Sequence, residues 1–187
     1  CNSIALGYNA GQNNQGINCI AIGGKAGLTN QHDQAISIGY FSGLGSGQNE
    51  QSTNAISIGT DAGKFTQGTG AIAIGLNAGQ SNQGANAIAI GQSSGQAGQS
   101  ANSIVINASG SAVNGATAGF YVRPIRSIVT AGTSVLQYNT TTFELGYVSG
   151  KTFVIDHPTD NNKYLVHSCL EGPEAGGYYR GIAELEI

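Results

Sequence analysis

A six-residue phrase recurs through the first 107 residues of the chain. It reads Asn2-Ser3-Ile4-Ala5-Leu6-Gly7, Asn18-Cys19-Ile20-Ala21-Ile22-Gly23 and Gln34-Ala35-Ile36-Ser37-Ile38-Gly39. It returns as Asn54-Ala55-Ile56-Ser57-Ile58-Gly59, Gly70-Ala71-Ile72-Ala73-Ile74-Gly75 and Asn86-Ala87-Ile88-Ala89-Ile90-Gly91. A decayed seventh copy ends in Asn102-Ser103-Ile104-Val105-Ile106-Asn107. The first isoleucines fall at 4, 20, 36, 56, 72, 88 and 104, a period of 16 residues with one interval of 20. So short and strict a period means a stack of like units, none of which buries a core alone.

Inside each copy, small and large residues alternate. Period two is the signature of a β-strand, with Ile88 and Ile90 on one face and Ala87 and Ala89 on the other. The following Gly91 marks a turn free of Cβ crowding. A second glycine stands four residues further on, as in Ala78-Gly79, and the remainder of each unit is polar. Sixteen residues with two turns cannot hold a helix and a strand together. They fit one coil of a parallel β-roll, with a second short strand in the polar half. Coils stacked at the strand spacing of ~4.8 Å give a rod of about 34 Å over seven rungs. The extra four residues near Gly45-Ser46-Gly47-Gln48 read as a loop that leaves the register intact, since insertions in repeats map to loops.

The expected core of this roll is two columns of aliphatic side chains: Ile4, Leu6, Ile20, Ile22, Ile36, Ile38, Ile56, Ile58, Ile72, Ile74, Ile88, Ile90, Ile104 and Ile106. Fourteen such residues are few against the entropy of ordering more than 100 residues of backbone. The roll is therefore expected to be a homo-oligomer. The flat face of Ala5, Ala21, Ser37, Ser57, Ala73 and Ala89 is the expected contact between rolls.

The phrase Asn-Ala-Ile-Ala-Ile-Gly-x-x-Ala-Gly resembles the head repeat of trimeric autotransporter adhesins. The likeness covers residues 1–110 in six good copies. It implies a left-handed parallel β-roll of about seven 16-residue coils, with three rolls in one tight trimer. No adhesin neck motif, coiled-coil stalk or membrane anchor follows the repeats.

Composition changes after residue 117. The first 119 residues carry only Lys25, Asp33, Glu50, Asp61 and Lys64 as charges, and the rest carries five basic and seven acidic ones. We divide the chain into a β-roll at 1–117, a β connector at 118–150 and a C-terminal β-module at 151–187 that reads as cut short. Residues 119–126, 134–139 and 142–147 are expected strands, the last two joined through Asn139-Thr140-Thr141. The connector sequence Gly119-Phe120-Tyr121-Val122-Arg123-Pro124-Ile125-Arg126, followed by Leu136-Gln137-Tyr138-Asn139, resembles fibre-like proteins of large DNA viruses and phages. Lys151 to Pro158 and Cys169 to Gly176 resemble a β-module of such viral proteins and of some bacterial surface proteins. The chain begins inside a repeat, as expected of a piece of a longer protein.

Net charge is −3, which gives no pull toward nucleic acid or an anionic membrane. No apolar run approaches the ~20 residues that span a bilayer, so no membrane insertion is expected of this fragment. Cys1, Cys19 and Cys169 are an odd count at different repeat phases and make no disulfide framework.

Candidate chemistry is sparse. His167, Cys169 and Glu171 alternate along an expected strand, share one face, and in a trimer would gather three times around an axis as metal ligands. The plainer reading is a strand with incidental polar residues, and no metal site or cofactor is assigned. His157 reads as a strand-end residue and His32 as solvated surface. Glu171 and Glu174 are the formal pair for glycoside cleavage, which needs two facing carboxylates. The acids of the repeats lie one each in three separate coils. Asn107-Ala108-Ser109 and Asn139-Thr140-Thr141 match the N-glycosylation pattern. Turns rich in Gln, Asn and Gly lack the aspartates of calcium-binding rolls.

The leading expectation is a structural and adhesive fibre, a homotrimeric head or shaft on a virion or cell surface. Its partners would be its own copies and a host surface glycan or protein. A polysaccharide-degrading viral spike is the enzymatic alternative. An ice-binding roll is the second alternative, although the usual threonine ladder is absent.

Overall fold

In a computed structural model of the chain, residues 2–45, 50–126 and 135–148 are described, together with the backbone of strands 152–156 and 164–168. Chain contacts divide it into two units, Cys1–Arg126 and Ser127–Ile187.

The first unit is a parallel β-solenoid. Its main sheet stacks β1 (Ile4–Leu6), β3 (Ile20–Ile22), β5 (Ile36–Ile38), β6 (Ile56–Ile58), β8 (Ile72–Ile74), β10 (Ile88–Ile90), β11 (Ser103–Asn107) and β12 (Gly119–Arg123), in that order. Eight rungs make about seven turns. The polar half of the coils forms shorter parallel pairs, β2 (Asn13–Gln15) with β4 (Thr29–Gln31) and β7 (Phe65–Gln67) with β9 (Ser81–Gln83). Each isoleucine lies beside its counterpart, as in Ile56↔Ile72 and Ile58↔Ile74. Register also survives the 20-residue interval, with Ile36↔Ile56 and Ile38↔Ile58.

β12 continues the stack. Ile104 pairs with Phe120 and Ile106 with Val122, so the 16-residue spacing outlasts the repeat's own residue types. The roll thus runs past residue 117 into the stretch read as connector, because alternation and spacing, rather than isoleucine itself, satisfy the ladder.

The side-chain placement reverses the expected one. Within the protomer, Ala21, Ser37, Ser57, Ala73, Ala89 and Val105 point inward and are fully buried. Ala5, on the terminal rung, is exposed. The aliphatic columns point outward: Ile4, Leu6, Ile74, Ile90, Ile104 and Ile106 are exposed. Ile20, Ile22, Ile36, Ile38, Ile56, Ile58, Ile72 and Ile88 are half-buried. The reason is thickness. In each 16-residue coil a glutamine from the polar half reaches across to the isoleucine strand, so only small side chains fit on the inward face of that strand, and interiors close-pack without voids or overlap. Ala62, Ala73, Ala78 and Ala89 form the apolar cluster of that interior.

The other inward residue is glutamine. Gln31, Gln51, Gln67, Gln83 and Gln99 are the largest fully buried side chains or nearly so, at 0–2% exposure. Each Nε2 donates to the carbonyl of its coil's first isoleucine, as Gln67 does to Ile56 O at 2.8 Å. All but Gln99 also connect to the next rung's glutamine: Gln51 to Gln67 Oε1 at 3.2 Å, Gln67 to Gln83 at 3.2 Å, and Gln83 to Gln99 at 3.3 Å. Between Gln31 and Gln51 the ladder passes through a hydroxyl. Gln31 Nε2 donates to Ser37 Oγ at 3.3 Å, and Ser37 Oγ donates to Gln51 Oε1 at 2.6 Å. Every buried amide is thereby paired, as a dry interior demands. Like side chains stacked at strand spacing satisfy each other without breaking the repeat.

Two glycines per coil have separate causes. Gly75 adopts φ +127, and a Cβ there would lie 2.8 Å from the carbonyl carbon of Gly91 on the next rung. Gly79 adopts φ +52, and its Cβ would strike the side chain of Gln83 at 2.5 Å.

The second unit contains two antiparallel hairpins. β13 (Val135–Tyr138) pairs with β14 (Leu145–Val148). The turn is held by Asn139, whose Oδ1 accepts from Thr141 N at 2.9 Å and Thr142 N at 3.1 Å. The expected hairpin is present, with its second strand starting at Leu145 rather than Thr142. β15 (Thr152–Asp156) pairs with β16 (Tyr164–Ser168), which places His167 across from Phe153.

Candidate interaction surfaces

The outward aliphatic columns create one continuous apolar face. It begins at Ile4 and Leu6 and ends at Phe120 and Val122, giving sixteen large side chains on eight rungs. Its ladder leaves Ile74 at 36% exposure, Ile106 at 40% and Phe120 at 53%. At ~4.8 Å per rung the face is about 34 Å long. Soluble chains rarely leave so long an apolar stripe uncovered, and such a stripe marks a contact surface. Sheet hydrogen bonds are already spent between rungs, so what the face offers is shape and apolar area.

A second surface arises at a turn corner in coils two to four. Lys25, Phe41 and Asp61 stand at one phase of three successive coils, and Lys64 and Phe65 follow. Lys64 Nζ lies 4.7 Å from the Phe41 ring centre and 5.3 Å from that of Phe65. It also pairs with Asp61 at 2.9 Å. Lys25 Nζ is 5.1 Å from the Phe41 centre, and the Tyr40 and Phe41 centres are 4.0 Å apart. These residues are scattered in sequence and read singly as turn positions. The signal that joins them is the coil offset, 41 − 25 = 16 and 61 − 41 = 20, the same intervals as the isoleucines.

The acids of the roll are all engaged. Asp33 Oδ1 accepts from Ile17 N at 2.9 Å. Glu50 accepts from Asn30 Nδ2 at 2.9 Å through one oxygen and lies 2.5 Å from His32 Nε2 through the other. His32 is thus hydrogen-bonded to Glu50 as well as solvent-facing. Although in separate coils, Asp33 and Glu50 line one shallow cleft with Asn14, Asn30 and His32. Among the described residues, no three His, Cys, Asp or Glu side chains converge on a metal position.

Asn107 is not an available glycan acceptor. It is buried, and its Nδ2 donates to Gln92 O at 2.8 Å and Ser111 O at 2.7 Å. Of the candidate metal trio, His167 lies on β16 with only its backbone described, and Cys169 and Glu171 lie outside the described residues, as do His157 and Glu174. Cys19 is buried as a free thiol in the position held by Ala35 and Ala55 in other coils.

Comparison with known proteins finds no matching family model, no matching curated protein and no matching solved structure.

Proposed function

We propose that this chain is part of a structural and adhesive surface fibre, a homotrimeric head or shaft carried on a virion or cell. The single observation behind the reading is the uncovered aliphatic face along the solenoid. Three rolls turned so that these faces meet on a common axis would bury the columns that one roll leaves open. The glutamine interior would then be each roll's own core, and the isoleucine columns would be the core of the assembly. This places the contact between rolls on the isoleucine face instead of the alanine and serine face, which is internal. The resemblance of the repeat to adhesin heads supports three copies rather than two. A rigid, repetitive rod suits display and attachment, and multiple copies raise avidity without new contacts.

The test is mass in solution. Light scattering on the purified chain should give three times the protomer mass. Replacing Ile74 and Ile90 together by Glu should yield single chains that keep their β spectrum. A wild-type chain that stays monomeric at tens of micromolar would remove the basis of the reading.

A further inference from the structure

Coils two to four depart from the repeat at one corner. We propose that this corner binds an acidic saccharide, with Tyr40 as the stacking platform and Lys25 as the partner of the sugar's carboxylate. The inference rests on the fibre reading and supplies its ligand chemistry.

The residues at this corner are held at a backbone cost. Lys25 has φ 58, Phe41 φ 58 and Asp61 φ 57, the left-handed region. Other coils fill the same phase with Asn9, Asn77 and Ser93, and asparagine is the side chain that tolerates this region best. A lysine or phenylalanine there costs about 1–2 kcal/mol. Strain of this kind clusters at binding sites.

The geometry suits a sugar. Tyr40 is 53% exposed, and its ring lies over Gly24, where a Cβ would stand 3.2 Å from Cδ2. The adjoining Phe41 ring attracts both ammonium groups, which braces the aromatic pair. An aromatic face is electronegative and receives the electropositive C–H face of a pyranose. Asp61 neutralises Lys64, whereas Lys25 has no carboxylate partner among the described residues. One net positive charge beside one open ring matches a single carboxylate on a sugar. A nucleic acid strand would need several cations along its backbone, and the first 119 residues hold only Lys25 and Lys64.

Titrating sialyllactose and a hyaluronan tetrasaccharide into the full chain, each against its neutral counterpart (lactose and the carboxyl-reduced tetrasaccharide), tests the site. The acidic sugars should bind more tightly than the neutral ones. Tyr40→Ala should weaken acidic and neutral sugars alike by about tenfold, the loss of one stacked ring. Lys25→Gln should erase the acid preference and keep the weaker neutral binding. Both variants should retain the wild-type melting temperature and oligomer mass. Absence of binding, equal binding of neutral sugars, or tighter Tyr40-dependent binding of an oligodeoxynucleotide would overturn the proposal. So would a change of oligomer mass in Tyr40→Ala, which would make the corner an interface. A monomeric wild type that still binds acidic sugars would sink the fibre reading and leave this site standing.

Discussion

Replacing Gln67 by leucine separates hydrogen bonding from packing in the interior of the roll. Leucine nearly matches glutamine in shape, so little cavity opens. Four hydrogen bonds vanish: Gln67 Nε2 to Ile56 O at 2.8 Å, to Ala71 O at 3.3 Å and to Gln83 Oε1 at 3.2 Å, and Gln51 Nε2 to Gln67 Oε1 at 3.2 Å. At ~0.5–1.5 kcal/mol each, the loss is about 2–6 kcal/mol. Gln51 keeps its bonds to Ile36 O and Ser57 Oγ, so no donor is left bare on that side. For a chain of this size each kcal/mol moves the melting point by about 2–4 °C, which predicts a drop of about 4–24 °C. Gln15→Leu is the internal control, because Gln15 sits at the end of the ladder with part of its amide in water. Calorimetry and urea titration at one fixed protein concentration read both variants, since oligomerisation ties stability to concentration. A neutral or stabilising Gln67→Leu, as an interior packed by volume alone would give, refutes the ladder as a source of stability.

Gly75→Ala should be far costlier than Gly98→Ala. The first drives a Cβ into the Gly91 carbonyl, and the second meets nothing within 4 Å and carries only the left-handed backbone penalty of ~1–2 kcal/mol; urea midpoints of the two variants will rank them. Ala73→Leu should disrupt the roll by overfilling its buried alanine cluster, whereas Ile74→Ser, one residue away on the outer face, should keep circular dichroism intact and weaken self-association. Covering the remaining two-fifths of an isoleucine contributes about 0.6–1.2 kcal/mol, so single outer-face changes should shift a dissociation constant by roughly threefold to tenfold per chain. Expression in a glycosylating host should leave Asn107 unmodified in peptide mass spectra, because its amide nitrogen is buried in two hydrogen bonds; an occupied Asn107 would mean that this corner opens.

Much of the architecture was legible along the chain. The spacing of Ile4, Ile20 and their successors defines the rungs, and alternation defines strand direction and phase. The strand register runs through the 20-residue interval as the spacing indicates, while the loop read near Gly45-Ser46-Gly47-Gln48 lies mostly outside the described residues. These are one-dimensional properties, because parallel in-register stacking repeats whatever order the sequence has. The glutamines at 15, 31, 51, 67, 83 and 99 keep the same intervals as the isoleucines. Among polar residues, so constant an identity was the available sign of an interior role.

Which face is inside was decided only by the tertiary structure. Alternation splits Ala73 from Ile74 without saying which one meets the opposite wall. The rule that large apolar residues lie inside presumes room for them, and in each coil the inward glutamine already occupies it. Amides fill the space instead, since stacking brings each one beside its own image and cancels the cost of burying it. The corner of Lys25, Tyr40 and Phe41 likewise exists only once coils are superposed. Sequence therefore determined the period and the strands, while closure of the coil determined inside from outside.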